Sequence, residues 1–135
     1  MEQGDAEQVA ELTRELGYDM SVVQTRDRIA NQSDGGVVLV AVSAGEVVGW
    51  IQGLNRELLI YPRVLEVGGL VVSAPHRARG IGRALIGALT EWGRGRGHIE
   101  IFVRSNIMRD GAHAFYEGLG FIRAKTSYTF SFEIE

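Results

Sequence analysis

The sequence predicts an α/β protein, a mixed sheet with helices packed on it. Two early stretches and two later ones carry apolar residues at helical spacing. Between and after them lie apolar runs of strand length. The runs at 37–42 and 46–53 are joined by Ser43-Ala44-Gly45 and read as an antiparallel hairpin. The order is helix, helix, hairpin, strand, helix, strand, helix, strand. No repeat, low-complexity tract or linker divides it, so one domain over residues 1–135 is expected.

Each element has a local reason. "DAEQVAELTREL" sets Val9, Leu12, Thr13 and Leu16 at helical spacing, with Asp5 as N-cap and Gly17 as stop. "SVVQTRDRIA" opens with a capping box from Ser21 to Gln24 and predicts a second short helix. "SDGG" reads as a loop. Pro62 helps mark residues 55–63 as a loop or lid. The strand at 65–72 is apolar but broken by Gly68-Gly69, which points to a bulge or to the close approach of a chain or ligand. The clearest helix covers 80–96, where Ile81, Ala84, Leu85, Ala88, Leu89 and Trp92 make one apolar stripe. It leaves through the basic loop "GRGRG". A strand follows at 99–103. Met108, Ala112, Phe115 and Leu119 then mark another helix, closed by Gly118 or Gly120. Residues 121–134 are β-like and predict one or two final strands.

Composition narrows the function classes. The chain is 45% hydrophobic and 23% charged, average for a soluble domain. With no cysteine, disulfides and thiolate chemistry are excluded. His76, His98 and His113 lack metal-ligand spacing, so no metal is expected. A net charge of −3 argues against a general nucleic-acid binder. No apolar run spans a membrane and no signal peptide is visible, so a cytoplasmic protein is the default.

Against that negative charge, "VSAPHRARGIGRALIGAL" gathers His76, Arg77, Arg79 and Arg83 with Gly80 and Gly82 where a strand turns into a helix. The first helical N–H groups have no intrahelical partner, and the helix dipole adds positive potential there. Glycines let a bulky anion approach the backbone, and the arginines add full charges. The combination fits a pyrophosphate cradle; an exposed basic turn is the plainer alternative. A dinucleotide fingerprint lacks its third glycine, and a P-loop lacks its Gly-Lys-Ser/Thr ending.

Arg77-x-x-Gly80-x-Gly82 after "LVV" resembles the acetyl-CoA motif of the GNAT superfamily of N-acetyltransferases. "NIMRDGAHAFYEGLGF" resembles the family's C-terminal motif, in the family's order and separation. The resemblance covers roughly residues 37 to 134. It implies a mixed, mostly antiparallel sheet splayed between two central strands and flanked by about four helices. The family's first edge strand is expected to be missing, because "MEQG" is too short to supply it. Acetyl-CoA would enter the wedge, with the backbone of Leu70 and Val72 as partners for its pantetheine arm. The pyrophosphate would meet the amides of Arg77, Ala78, Arg79, Gly80, Ile81, Gly82, Arg83 and Ala84. A strand amide near Val71 would serve the oxyanion, and Asn106 would contact pantetheine or substrate, or else cap the strand end.

Acetyl transfer to an amine also needs a base and an acid. Tyr116 matches the family's acid tyrosine, and a phenol with pKa ~10 stays protonated at neutral pH. Glu66 matches the glutamate that some branches use as base, directly or through water; an ion-paired structural carboxylate is the alternative. His76 reads equally as a phosphate neighbour or a solvated loop histidine; His113 reads as a helix-surface histidine rather than a substrate contact, and "GRGRG" as a solvated helix end favoured by its cations rather than a contact to the CoA 3′-phosphate or to nucleic acid. The long spacing from Asn106 to Tyr116 and "EVGGLVV" more weakly resemble the aminoalkylphosphonate N-acetyltransferase branch. The expectation is direct acetyl transfer from acetyl-CoA to a primary amine of a small molecule, with no nucleic-acid or membrane partner and a homodimer as the candidate assembly. A non-catalytic CoA-binding module, a protein N-acetyltransferase and a nucleic-acid binder are the rivals.

Overall fold

A computed structural model describes residues 2–15, 17–31 and 35–134. Leu16 of the first helical stripe, and Ser33 and Asp34 of the "SDGG" loop, lie outside the described residues. The chain divides into two compact units, Met1–Arg104 and Ser105–Glu135.

The first unit begins with a short 3-10 turn and α1 (Ala6–Glu15), then α2 (Val22–Ala30). Gly17 ends α1 in the left-handed conformation with φ +96, where a glycine escapes the Cβ clash. The capping box at Ser21 forms as expected, with Gln24 N–H donating to Ser21 Oγ and Ser21 N–H donating to Gln24 Oε1. No strand precedes α1 among the described residues.

The sheet has the order β1-β2-β3-β4, with β1 (Val37–Ser43), β2 (Glu46–Leu58), β3 (Tyr61–Val72) and β4 (Ile101–Val103). The first three strands are antiparallel, and β4 lies parallel to β3. Ala44 and Gly45 both have positive φ, 51 and 81, which gives the first hairpin a turn matched to the strand twist. Residues 55–63 are not a loop. The ladder runs on to Leu58↔Tyr61, leaving only Leu59 and Ile60 as an exposed apolar turn.

The sheet is covered on both faces. Trp50 Nε1 donates to Thr13 Oγ1 on α1 at 3.1 Å, and Thr13 in turn donates to Val9 O. Gly49 and Gly53, both of opposite parity to Trp50, face α3 (Ile81–Arg94). A Cβ at Gly53 would lie 2.5 Å from Leu89 Cδ1, so glycine is what lets this helix close onto the strand. The buried face of α3 is Leu85, Ile86, Leu89 and Gly93; Ala84 and Ala88 are exposed, so the stripe is rotated from the expected one. Ile51, Leu65 and Leu89 are fully buried at the centre.

The "GRGRG" exit is held by local structure. The Arg96 guanidinium lies 4.2 Å from the Trp92 ring centre. His98 engages Gly93 O through Nδ1 and Asn55 Oδ1 through Nε2.

In the second unit, α4 (Asp110–Gly118) is followed by a left-handed Gly120 with φ +99. Residues 121–134 form no strand, contrary to the sequence expectation. Within the second unit they have no ladder partner, and a strand needs one to satisfy its backbone.

Candidate active site

β3 is where the sheet opens. It pairs with β4 at only Leu65, Glu66 and Val67, opposite Ile101, Phe102 and Val103, and then runs on to Val72 with β2 alone. Gly68 marks the change: the β2 register shifts between Gln52↔Gly69 and Gly53↔Val67. This is a bulge, as the paired glycines predict. Past it, the hydrogen bond from Ser73 N–H to Val48 O fixes the parity of the strand. In an antiparallel ladder every second residue pairs with its neighbour, so Val71 and Gly69 also address β2. Leu70 and Val72 therefore turn their N–H and C=O groups away from β2, to the side that β4 has left. Val71 turns its amide into the ladder, so an outward donor on this strand comes from Leu70 or Val72. Gly69 gives room for the Trp50 ring, which would stand 2.8 Å from a Cβ there.

β3 leads straight into the basic turn. A 3-10 turn covers Ala74–His76, and Ser73 Oγ lies 2.7 Å from His76 Nδ1. Arg77 Nε donates to Val72 O at 3.2 Å, which anchors this arginine to the end of the strand. Ala78 and Gly80 both have positive φ, 61 and 81, so the chain coils with its amides turned inward, as in anion-binding nests. Gly80 caps α3 with no side-chain hydrogen bond. Arg77 N–H is taken by Ala74 O and Ala84 N–H by Gly80 O. The amides of residues 78–83 have no partner among the described residues. No carboxylate pairs with Arg77, Arg79 or Arg83 there either. Unpaired amides, a helix N-terminus and unneutralised guanidiniums are the donor set that a pyrophosphate requires. The residues present fit CoA.

Glu66 is buried, 8% exposed, in the paired part of β3. Two arginines flank it, Arg56 at 3.5 Å from Oε1 and Arg104 at 3.9 Å from Oε2. Both distances exceed a good charged hydrogen bond, and Arg56 Nε is buried with no partner. Sequence reasoning missed this pair: Arg56 is two residues beyond Glu66's cross-strand partner Leu54, and the register is not visible without the fold.

In the second unit, Tyr116 is half-buried on α4, edge-on to Phe115 and Phe121. Burial pushes its phenol above the usual tyrosine value of 10.0, opposed by the charge of Arg109. Asn106 Oδ1 accepts from Met108 N–H, and its C=O accepts from Arg109 N–H; His113 Nε2 also lies 2.9 Å from that oxygen. Asn106 is thus the turn that starts α4, and His113 braces it. Among the described residues no group of three or more His, Cys, Asp and Glu residues is placed to hold a metal ion. No described helix is long and apolar enough to cross a membrane.

Comparison with known proteins bears on the family and the fold. Rat N-acetyltransferase 8B is 32% identical over 107 residues, covering 78% of this chain and 47% of its own length. A probable mouse N-acetyltransferase, family 8 member 5, is 31% identical over 85 residues, 62% of this chain and 37% of that one. The chain thus spans less than half of either curated relative. Among solved structures, the aminoglycoside acetyltransferase AAC(6')-Iy, in complex with a CoA-linked bisubstrate analogue, superposes with TM-score 0.86 at 19% identity, covering 99% of this chain and 95% of that one. AAC(6')-IG of Acinetobacter haemolyticus gives 0.85 at 19% identity, covering 100% and 97%. The family model described as "Acetyltransferase (GNAT) family" matches residues 6–121, so the chain belongs to the GNAT acetyltransferase family.

Proposed function

We propose that the chain is an acetyltransferase that moves the acetyl group of acetyl-CoA directly to a primary amine of a small molecule. The observation that carries the reading is the parting of β3 from β4 immediately before a nest of unpaired amides and arginines. Acetyl-CoA supplies an activated thioester. Leu70 and Val72 offer it outward backbone groups, and the amides and guanidiniums of residues 77–83 take its pyrophosphate. Val71, Ile81 and Ala84 shape the strand and the helix start that hold those donors. Asn106 positions α4 through its turn.

The chemistry divides between two side chains. Glu66, directly or through water, accepts the proton that the amine must lose. The amine nitrogen then bonds to the acetyl carbon, and an outward strand amide stabilises the oxyanion. When the C–S bond breaks, Tyr116 donates its phenolic proton to the departing thiolate, and the remaining proton that the new amide nitrogen sheds, directly or through water, restores the phenol. Burial favours the neutral phenol and so keeps that proton available at neutral pH. The family match over residues 6–121 includes Glu66, the basic turn and Tyr116, which supports reading them as parts of one acetyltransferase domain.

A small acceptor is favoured because fold neighbours at this similarity include aminoglycoside N-acetyltransferases. A protein acceptor is the second outcome. The test is CoA thiol release from acetyl-CoA against a panel of small amines and peptides, with product mass as readout. Amine-dependent thiol release with an acetylated product is expected. Tight acetyl-CoA binding with no turnover on any amine would instead favour a non-catalytic CoA-binding module. Binding to DNA or RNA that weakens with salt, without acetyl-CoA binding, would overturn the cradle.

A further inference from the structure

Three charged side chains of the first unit meet on one face of the sheet, just before the bulge that opens it. Trp50 reaches α1, so Leu54 and Arg56, in step with it along β2, share that face. Glu66 is paired with Leu54 on one side and with Phe102 on the other. Arg56 Nη2 lies 3.5 Å from Glu66 Oε1, and Arg104 Nε lies 3.9 Å from Oε2. The Arg104 guanidinium also stands 5.9 Å from the Phe102 ring centre. Residues from three strands thus gather two guanidiniums around one carboxylate.

The charges do not balance. Among the described residues no second carboxylate forms an ion pair with Arg56 or Arg104. Two guanidiniums against one carboxylate leave one positive charge over. Neither contact is short enough for a strong charged hydrogen bond, and Arg56 Nε is buried without an acceptor. Glu66 is buried, Arg56 is half-buried and Arg104 is exposed, so the group opens to solvent on the Arg104 side. An ammonium ion arriving at Glu66 meets the pull of one carboxylate and the push of two guanidiniums. Partial burial strengthens both above their values in water. An acceptor that brings its own anion reverses that balance, whereas a polycation makes it worse.

We propose that the amine acceptor carries an acidic group, a carboxylate or a phosphate, which Arg104 and Arg56 hold while the amine faces Glu66. The inference rests on the acetyl-transfer reading for where the amine stands. Guanidinium forks fit carboxylate and phosphate oxygens in the same two-pronged way. Arg104 takes the anion at the open side, and Arg56 supplies fixed charge behind it. Both are specificity-determining residues, and Glu66 keeps its place beside the nitrogen.

The test uses amines matched in length that differ at the far end: β-alanine, β-alaninamide and diaminopropane, with phosphoethanolamine and ethanolamine as the phosphate pair. With acetyl-CoA, an acid should show kcat/KM roughly ten-fold or more above its neutral partner per unprotonated amine, chiefly through KM. Diaminopropane should fall below both. The two pairs separate a carboxylate preference from a phosphate preference. Arg104→Met should bring the ratio of acid to neutral amine close to one, and Arg104→Glu should move diaminopropane to the front. An arginine with only a structural role would lower every amine alike and leave the ratio standing. Binding is read without turnover: with CoA present, an acid should raise Tm more than its neutral partner, and Arg104→Met should remove that difference. Equal values for acids and neutral partners in both assays would overturn the proposal. So would a preference for acids that survives both Arg104→Met and Arg56→Met. Acid-selective binding with no thiol release from any amine would support the anion site and remove the acetyl-transfer reading instead.

Discussion

Replacing Glu66 with glutamine tests the ion pairs and the base role together. At 3.5 and 3.9 Å, each pair is worth about 4–5 kcal/mol of gross attraction at an effective dielectric of 20. Desolvation returns most of that. The Arg104 side chain is 67% exposed, so its share is screened nearly to nothing. Arg56 is different: its side chain is 34% exposed and its Nε is already buried without a partner. Losing the carboxylate leaves that guanidinium with less compensation. Removing one partner of a fully buried pair costs about 3–5 kcal/mol; at this partial burial about 1–2 kcal/mol is expected. For a chain of this length that lowers Tm by roughly 3–8 °C. The assay is thermal unfolding of Glu66→Gln, Arg56→Met and the double variant. A coupling of about 1 kcal/mol between the two sites supports the clamp, and coupling near zero refutes it. Activity is read separately. If Glu66 is the base, Glu66→Gln loses turnover chiefly near neutral pH and recovers as rising pH frees the amine. A Tm loss with a flat deficit across pH would leave Glu66 as a structural carboxylate and assign deprotonation to water.

The remaining predictions concern the acid, the cradle and the core. Tyr116→Phe should cut turnover about 10²–10⁴-fold with acetyl-CoA affinity unchanged; normal turnover on the true acceptor would remove Tyr116 as the acid. Because its folded pKa is raised, the stability due to the neutral phenol is complete below pH 10 and is lost only as pH climbs beyond it; a Tm difference between Tyr116→Phe and wild type that narrows between pH 7 and 9 would contradict that. Saturating acetyl-CoA should raise the wild-type Tm, and Gly82→Glu should abolish that rise while unliganded Tm changes little, since the new carboxylate meets the expected pyrophosphate. Gly53→Ala should destabilise by about 1–3 kcal/mol, because its Cβ would press on the fully buried Leu89; a Tm within a degree of wild type would show that α3 can move.

The wedge was legible in the sequence because its signals are local. Gly68-Gly69 in an apolar run, then basic residues and glycines at a helix start, depend on a few consecutive residues. The bulge and the left-handed Gly80 follow from them. Ala78 at φ 61 could not be read, since nothing in alanine favours that conformation. The hairpin tip was obscured by Pro62 and by a turn, Leu59-Ile60, without the usual turn residues. The stripe on α3 was misplaced because Gly53 and Gly93 set which face can approach the sheet, a tertiary fact. The Arg56–Glu66–Arg104 cluster needs strand register. At 121–134 the β-like composition predicts strands that do not form, because local pattern does not say whether an edge will supply the hydrogen bonds.

The parity of β3 beyond its bulge has a consequence for how this site can be lost. At positions 70 and 72 the outward-facing groups are peptide N–H and C=O, which every residue except proline presents alike. Shortening Leu70 or Val72 to alanine leaves those donors and acceptors in place and should trim only packing. Proline at either position deletes the N–H while keeping an apolar side chain. The proposed site is therefore written in the backbone, tolerant of side-chain drift and vulnerable to a single imino acid.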